Sequence, residues 1–409
     1  MSDPTDRSAA IPWHSRTVQV VLVSTLLAPL GVPLVAPVLP VIRDAFGVTD
    51  TQASLLISAY FVTGIVLSPV IGLLADRIGR RRVLITSLLF FSLTGGAMAL
   101  ASSFALVVGL RVVQGTAAAG VFVTTVTLVG DVFDGPQRNA VLGVNNATLS
   151  AGAAVFPIVG GVLAVIAWNA PFLVYLVALP VTLFAAWALE EPPTPTDHEI
   201  DSFTYLRAAL GAVAGADAVV LYGAAFLTEL LLFGAIITGL PFLMTATFAL
   251  TPVFVGLVLT ASEVSSMLVS TQNGRFATYL SNHGLIALGF GCYGAGLLGA
   301  WLAPSPGLIA VAVGVFGAGL GLSMPAVDAA ISDLVETQYR GGALSLRNST
   351  TFLGRAAGPV LFVGLAVTTS YRSLLLAAGV VALGSGLLVV AVMRWNRDTD
   401  AISIPDDTA

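Results

Sequence analysis

The sequence predicts an all-α membrane protein with twelve transmembrane helices arranged as two six-helix repeats. Of its 409 residues, 56% are hydrophobic and only 10% are charged, and the mean hydropathy is +0.94. These values lie far outside the range of soluble globular chains. A helix needs about 20 mainly apolar residues to cross a bilayer. The chain therefore accommodates about a dozen spans and leaves little for a soluble domain.

Apolar runs between short polar or Pro/Gly-marked breaks give the positions of the helices. The predicted runs are 17–40, 52–75, 83–101, 104–130, 139–165, 169–188, 217–245, 253–273, 284–303, 306–330, 343–368 and 371–393. They lack the alternating polarity of transmembrane strands. The first run is too long for a signal peptide and has no small-residue cleavage site, so we assign it as the first helix.

The distribution of arginine predicts the orientation, because the chain contains no lysine. With a cytoplasmic N-terminus, the cytoplasmic segments hold Arg7, Arg16, Arg77, Arg80, Arg81, Arg82, Arg138, Arg207, Arg275, Arg340, Arg394 and Arg397. Arg43 and Arg372 fall on the opposite side. Positively charged residues favour the cytoplasmic side, so both termini are expected in the cytoplasm, with the protein in the cell membrane as a multi-pass protein.

The residue types that are missing exclude several classes of function. Without lysine there is no P-loop and no Schiff base. The three histidines, His14, His198 and His283, lie far apart in the chain, which disfavours a metal site. The sequence shows no catalytic constellation. We expect no enzyme activity, no cofactor, no metal and no nucleic-acid partner.

The two halves of the chain are related by a shift of 202 positions, which superposes 131–157 on 333–359. The identities are Asp131/Asp333, Arg138/Arg340, Leu142/Leu344, Asn146/Asn348, Thr148/Thr350, Gly152/Gly354, Ala154/Ala356 and Pro157/Pro359. The predicted domains are an N-terminal half (1–189), a cytoplasmic linker (190–208), a C-terminal half (209–397) and a cytoplasmic tail (398–409). Repeated halves with a site at their interface are typical of secondary transporters.

Three motifs resemble those of the major facilitator superfamily, and its drug:proton antiporter branches in particular. GLLADRIGRRRVL, from Gly72 to Leu84, is similar to the signature of the loop between helices two and three. RVVQGTAAAG, from Arg111, is similar to the helix-four motif, and GAAVFPIVGG, from Gly152, to the helix-five motif, with Phe156 where a glycine is expected. The resemblance covers essentially the whole chain and implies transport by alternating access.

The resemblance also implies a latch between the two halves in the outward-facing conformation. In the superfamily the loop aspartate meets a helix N-terminus of the other half, and an arginine pairs with an acid that ends helix four. Here these would be Asp76 with the start of helix eleven, and Arg80 with Asp131. The motif residues assigned to the latch are Gly72, Asp76, Arg77, Gly79, Arg80 and Asp131. A carboxylate at a helix N-terminus is stabilised by about 0.3 to 1 kcal/mol, and by up to ~2 kcal/mol when partly buried.

Charged residues deep in the spans are candidates for function, because they are costly to place in a bilayer. Four such residues lie away from the predicted span ends: Arg111, Glu229, Glu263 and Arg355. In the superfamily, helices 3, 6, 9 and 12 face outward, and the corresponding runs here carry no charge away from their ends. Asp328, near the end of helix ten, is expected to be solvated.

Alternative roles remain open for these residues. Glu229 lies in apolar surroundings that favour the neutral form of a carboxyl, so it could bind and release a proton as access changes. Glu263 has Ser and Thr neighbours, which suit a wetter position facing substrate. Each glutamate could instead pair with Arg355 or Arg111 to hold the halves together. For Arg355, contact with a substrate anion and ion pairing are both open, and Arg111 is expected to be structural or coupling rather than substrate-binding.

Polar and small residues on helices five and eleven have a simpler interpretation. Asn146 could hydrogen-bond substrate or bridge helices, and helix packing by amides is common. Five glycine and proline positions are expected to permit close helix approach and bending: Gly152, Pro157, Gly354, Gly358 and Pro359.

The sequence thus predicts proton-coupled efflux of a small, largely apolar organic compound, by a monomer in a lipid bilayer. One alternative is proton- or sodium-coupled uptake of a small organic anion, based on Arg111 and Arg355. Another is a membrane sensor that has lost transport. The intact loop motif and the intramembrane acids disfavour the sensor.

Overall fold

The computed structural model describes residues 10–191, 215–336 and 339–402, and these residues form no strand. Twelve long helical segments follow one another. Their bounds are α1 Arg16–Phe46, α2 Asp50–Ile78, α3 Arg80–Leu100, α4 Phe104–Val132, α5 Gly135–Ile166, α6 Ala170–Ala188, α7 Ala216–Phe248, α8 Pro252–Ser270, α9 Asn282–Leu302, α10 Pro306–Asp333, α11 Arg340–Ala366 and α12 Tyr371–Ile402. The starts agree closely with the predicted runs, and most of the ends agree within a few residues.

Some of the predictions fall outside the described residues. These are the linker from residue 192 onward, the tail from residue 403 onward, and the positions of Arg7, His198 and Arg207. The predicted domain boundaries therefore stay predictions.

Ten of the described helices are long and apolar enough to cross a membrane, and α2 makes an eleventh if its two parts, Asp50–Ile65 and Val70–Ile78, are one bent span. The twelfth segment, α11, has 27 residues, enough to span a bilayer. It is less apolar than the other spans because it carries Arg340, Arg347 and Arg355 along with several Ser, Thr and Asn residues. This polarity follows from its position beside the central cavity.

Two helices depart from regular α-geometry near the centre of the molecule. In α1, 3₁₀ turns at Ala28–Gly31 and Ala36–Val38 interrupt the helix, because its closely spaced prolines lack the N–H that the α-helical ladder requires. In α7, the segment Leu232–Gly239 is π-helical and begins three residues after Glu229. Such π segments occur frequently at functional sites.

The two halves meet mainly along α5 with α8 and along α2 with α11. We name the two ends of the bundle by the loops they carry. The terminal end holds the α2–α3 loop at Gly79, and the far end holds the α1–α2 and α11–α12 connections. A hydrogen bond from Thr260 of α8 to the carbonyl of Ala154 in α5 (2.7 Å) joins the halves near mid-height. At the far end, Tyr371 of α12 contacts Asp50 of α2.

Candidate functional site

A central cavity of about 540 Å³ lies between the two halves at mid-height. Its lining comes from α1, α2, α4 and α5 on one side and from α7, α8, α10 and α11 on the other. Among the described residues, α3, α6, α9 and α12 contribute none of the lining. This confirms the expectation that helices 3, 6, 9 and 12 face away from the cavity. Along α10 and α11 the lining extends toward the terminal end.

An ion pair between Glu229 of α7 and Arg355 of α11 lies in the wall of this cavity. The arginine donates two hydrogen bonds to the carboxylate, from Nε to Oε2 (3.0 Å) and from Nη2 to Oε1 (2.8 Å). The Glu229 side chain is 2% exposed, whereas the Arg355 side chain is 29% exposed. Bidentate pairs of this kind are the strong form of a charge-assisted hydrogen bond. Of the open alternatives for Glu229, the structure adopts pairing with Arg355.

Three phenylalanine rings surround the same guanidinium. The Arg355 Cζ atom lies 5.6 Å from the ring centre of Phe61, 5.4 Å from that of Phe233 and 5.6 Å from that of Phe352. Cations are attracted to aromatic faces at such distances. The site that holds Arg355 therefore combines a buried carboxylate with an aromatic box contributed by both halves.

Glu263 of α8 faces the same cavity without a cation partner. Within the described part of the chain it makes no hydrogen bond and no ion pair, although it lies close enough to Glu229 and Arg355 to interact with them electrostatically. The two glutamates therefore differ in kind, since one carboxylate is paired and the other is not.

A second ion pair lies in the part of the cavity nearest the terminal end. Arg347 Nε of α11 lies 2.8 Å from Asp328 Oδ1 of α10, and the side chains are 11% and 46% exposed respectively. Asp328, which was expected to be solvated, is nearly half exposed, but it also lies in the cavity wall, where α11 supplies a cation.

Arg111 of α4 is fully enclosed and does not line the cavity. It donates hydrogen bonds to the carbonyl of Leu56 (3.0 Å), to Gln114 Oε1 (2.7 Å), to the Tyr175 hydroxyl (3.2 Å) and to the carbonyl of Gly31. Gly31 ends the first 3₁₀ turn of α1. The contacts place Arg111 as a support for the broken backbone of α1.

The two neighbouring asparagines of α5 have different environments. Asn146 is exposed and lines the cavity, whereas Asn145 is buried and accepts a hydrogen bond from Thr25 of α1 at 2.6 Å. Asn348, the repeat counterpart of Asn146, also lines the cavity. The helix-bridging role that was one of two options for Asn146 is thus taken by Asn145.

The predicted pair of Arg80 with Asp131 is present, with Arg80 Nε donating to Asp131 Oδ2 at 2.9 Å. Asp76 differs from expectation. Among the described residues it pairs with Arg80, four positions along the chain, and not with the start of α11. Its side chain is 52% exposed. Among the described residues, the contact between the halves implied for this loop is therefore not made.

The other residues of the α2–α3 loop motif differ in how closely their surroundings constrain them. Gly79 has φ +102°, a conformation that side-chain-bearing residues rarely adopt, and a Cβ there would meet the carboxylate of Glu191. At Gly72 the nearest atom to an added Cβ is Val123 Cγ1, at 4.0 Å, so packing does not require a glycine. Arg77 is exposed. The loop is tied to the end of α6, where Arg81 donates to the carbonyl of Ala186 at 2.6 Å.

The predicted glycine and proline positions lie at close helix contacts. A Cβ at Gly152 would meet Pro29 of α1 at 3.0 Å, and one at Gly354 or Gly358 would meet the backbone of α7. Pro157 and Pro359 lie inside α5 and α11. The carbonyl of Pro157 faces Gly256 of α8. These contacts let α5 approach α8, and α11 approach α7, closely enough to bring the cavity charges together.

Sequence reasoning missed several residues that the fold brings into play. The aromatic box was not predicted because its rings come from three helices. Arg347 could have been found, because Arg347, Thr351 and Arg355 form an i, i+4, i+8 ridge on α11. Tyr371, at a helix start, gave no signal that it contacts the other half.

Known transporters resemble this chain in sequence over long stretches. A sequence model described as Major Facilitator Superfamily matches residues 21–243 and 221–406. The bacillibactin exporter of Bacillus subtilis (strain 168) is 27% identical over 373 residues, which cover 86% of this chain and 90% of that protein. The quinolone resistance protein NorA of Staphylococcus aureus (strain MRSA252) is 31% identical over 143 residues, 35% of this chain and 37% of NorA.

Solved structures with low sequence identity share the fold. A point mutant of the nucleoside transporter NupG superposes with a TM-score of 0.79 at 12% identity, covering 92% of this chain and 99% of that chain. A bacterial homologue of the human lysosomal transporter Spinster, in an inward-facing and unoccupied conformation, gives 0.72 at 16% identity, covering 93% and 95%. Since the family match extends over nearly all of the described residues, the chain belongs to the major facilitator superfamily.

Proposed function

We propose that this protein exports small, largely apolar organic compounds in exchange for protons, by alternating access of the central cavity. Glu263 carries the proposal. It is a carboxylate on the cavity surface that can take up a proton without breaking an ion pair. Protonation of Glu229 would instead break both hydrogen bonds to Arg355. An exporter that exchanges substrate for protons needs an acid whose protonation and substrate binding exclude each other, and an unpaired carboxylate meets that need.

The cavity chemistry supports a cationic or neutral substrate. Its surface holds three carboxylates, Glu229, Glu263 and Asp328, but two arginines, Arg347 and Arg355, so acids are in excess. Phe61, Phe233 and Phe352 supply apolar and cation-binding surface. The names of the two relatives, one an exporter and one a resistance protein, support outward transport.

The alternative, uptake of an organic anion, is weaker on this geometry. It relied on Arg111 and Arg355, but Arg111 is enclosed and Arg355 is already paired with Glu229. An anion would have to displace a bidentate carboxylate. Replacing Arg355 with Ala tests this alternative, since it would abolish anion uptake and leave the export of cations measurable.

The membrane, orientation and assembly are proposed with the function. The skewed arginine distribution supports a cell-membrane protein with both termini in the cytoplasm. In that orientation the cavity extends toward the cytoplasm, as an exporter that takes its substrate from inside the cell requires. We propose that the monomer is the working unit, because a single chain supplies both halves of the cavity.

The proposal is tested with purified protein in proteoliposomes containing a pH-sensitive dye. Under an imposed pH gradient, adding a lipophilic cation or neutral compound should release protons from the acidic side. Proton movement together with an added organic anion would contradict export and favour uptake. The same compounds are tested under a sodium gradient, and a response to sodium alone would overturn proton coupling. No response to any compound under either gradient would favour the sensor.

The Asp76→Asn variant should cycle about two- to fivefold more slowly, the rate effect of a carboxylate-to-helix contact of about 0.3 to 1 kcal/mol. The reason is that the latch forms only when the terminal end closes, so its loss alters the conformational step and not substrate affinity. Transport rate and apparent affinity are measured in vesicles. Asp134→Asn, a change at an exposed carboxylate at the same end, is the matched control. A wild-type transport rate for Asp76→Asn would contradict the proposal that Asp76 forms a latch.

A further inference from the structure

A cluster of four residues joins the two halves at the far end of the bundle, opposite the predicted latch. We call Arg43, Asp50, Phe242 and Tyr371 the far-end cluster. Arg43 lies in the last turn of α1 and Asp50 is the first residue of α2. Phe242 lies near the end of α7 and Tyr371 is the first residue of α12. The cluster therefore takes two residues from each half of the chain.

The Asp50 carboxylate uses its two oxygens in different directions. Oδ1 accepts a hydrogen bond from Arg43 Nη1 at 2.8 Å, within the N-terminal half. Oδ2 accepts one from the Tyr371 hydroxyl at 2.7 Å, across the interface. The Asp50 and Arg43 side chains are 27% and 26% exposed, so solvent screens them less than it screens a fully exposed pair.

Stacking contacts orient the tyrosine. Its ring lies nearly parallel to that of Phe242, with centroids 6.1 Å apart and an interplanar angle of 18°. Arg43 Cζ lies 5.8 Å from the centre of the same Phe242 ring, which makes a second contact across the interface.

The start of α2 also fixes the position of the Asp50 carboxylate. Thr49 and Gln52 form a capping box at the start of α2: the Thr49 side chain accepts from Gln52 N–H (3.1 Å), and Gln52 Oε1 accepts from Thr49 N–H (2.9 Å). A capping box holds the first helical turn rigidly, and Asp50 is the residue directly after Thr49. The capping box therefore holds Asp50 in a position from which Oδ2 can accept the hydrogen bond from Tyr371.

We propose that the Tyr371–Asp50 hydrogen bond, supported by Arg43 and Phe242, closes the far end of the transporter and must break before the cavity opens there. Its position matches that role, because Asp76 at the opposite end pairs, among the described residues, only within its own half. Alternating access requires contacts that form at one end only when those at the other are broken. Tyr371 and Asp50 thereby set the balance between the two conformations, whatever the coupling ion.

The test measures that balance directly by distance measurements between spin labels. In a Cys292→Ser background, one pair of labels replaces the exposed Ser102 and Thr368 at the far end. A second pair replaces the exposed Asn139 and Tyr279 at the terminal end. The labelled protein is studied in nanodiscs without substrate or pH gradient, so the result does not depend on the proposed export or on proton coupling.

Tyr371→Phe removes only the hydroxyl and keeps the ring on Phe242. We expect the ratio of far-end-open to far-end-closed molecules to rise roughly tenfold, the effect of losing one hydrogen bond to a charged group. The Ser102–Thr368 distance should lengthen and the Asn139–Tyr279 distance should shorten. Tyr222→Phe is the matched control, because its hydroxyl bonds the carbonyl of Ala343 (2.9 Å) within one half.

Two results would overturn the proposal. One is unchanged distances in Tyr371→Phe, and the other is an equal shift in Tyr222→Phe. Asp50→Asn adds a further check, since the double variant with Tyr371→Phe should shift the balance less than the sum of the single variants. Fully additive shifts would show that Asp50 and Tyr371 act separately.

Discussion

Replacing Glu263 with Gln is expected to abolish accumulation driven by a pH gradient, while equilibration of the same compound across the membrane continues. A glutamine fills the same space but cannot carry a proton. One pH unit supplies about 1.4 kcal/mol per proton, equal to about tenfold accumulation for one proton exchanged. Everted vesicles or proteoliposomes with a fluorescent substrate measure that ratio, which should fall from about tenfold to about one.

Two further variants make this result specific. Glu190→Gln alters an exposed carboxyl just after α6 and should keep full accumulation. Glu229→Gln leaves Arg355 without its carboxylate and should weaken substrate binding and stability, but its proton coupling should survive. If Glu229→Gln loses coupling and Glu263→Gln keeps it, the paired glutamate is the proton carrier and our assignment is wrong.

Replacing Arg111 with Met is expected to lower stability more than any of the other substitutions. The methionine has a similar length, but it removes the hydrogen bonds that Arg111 donates to the carbonyls of Leu56 and Gly31, to the Tyr175 hydroxyl and to Gln114. Each unsatisfied buried polar group costs about 1 to 3 kcal/mol, so the total should exceed about 3 kcal/mol. Thermal unfolding in detergent should show a clearly lower midpoint and a lower yield of folded protein.

Arg138→Met serves as the control, because Arg138 is exposed near the start of α5 and its loss should leave the midpoint close to that of the wild type. An Arg111→Met midpoint equal to that of the control would show that α1 holds its 3₁₀ turns without this arginine. That result would favour a coupling role for Arg111.

The fold could be predicted from sequence because hydropathy and the internal repeat act over long stretches. A run of about twenty apolar residues predicts a span whatever its neighbours are. The helix most poorly described by hydropathy is α11, whose cavity-facing residues lower its apolar content. It was nevertheless predicted from the apolar run 343–368, and the repeat relation to α5 supports that prediction, since Asn348, Gly354 and Pro359 match Asn146, Gly152 and Pro157.

The site could be predicted only in part, because a sequence gives depth along a helix but not which helix a side chain faces. Glu229, Glu263 and Arg355 were found by their depth, and all three line the cavity. Arg111 has similar depth but faces α1, which no periodicity within α4 could reveal. Asp328 was set aside for lying near a helix end, although α10 carries it into the cavity wall.

Contacts between the halves were the least predictable feature. The motif led us to expect Asp76 against α11, but among the described residues Asp76 pairs with Arg80. Tyr371 and Asp50 have no motif and lie 321 positions apart. A pattern can identify a type of loop, but the conformation decides what that loop touches.

The polarity of α11 has a consequence for how the chain is made. An arginine near the centre of a helix costs about 2.5 to 3.5 kcal/mol during insertion into the bilayer, and α11 carries Arg347 and Arg355 within its length. Glu229 offsets one of these charges and Asp328 the other, but both acids belong to helices synthesised earlier. Stable insertion of α11 therefore depends on α7 and α10 being held beside it during synthesis, and a mutation at Glu229 would act on biogenesis before any substrate is met.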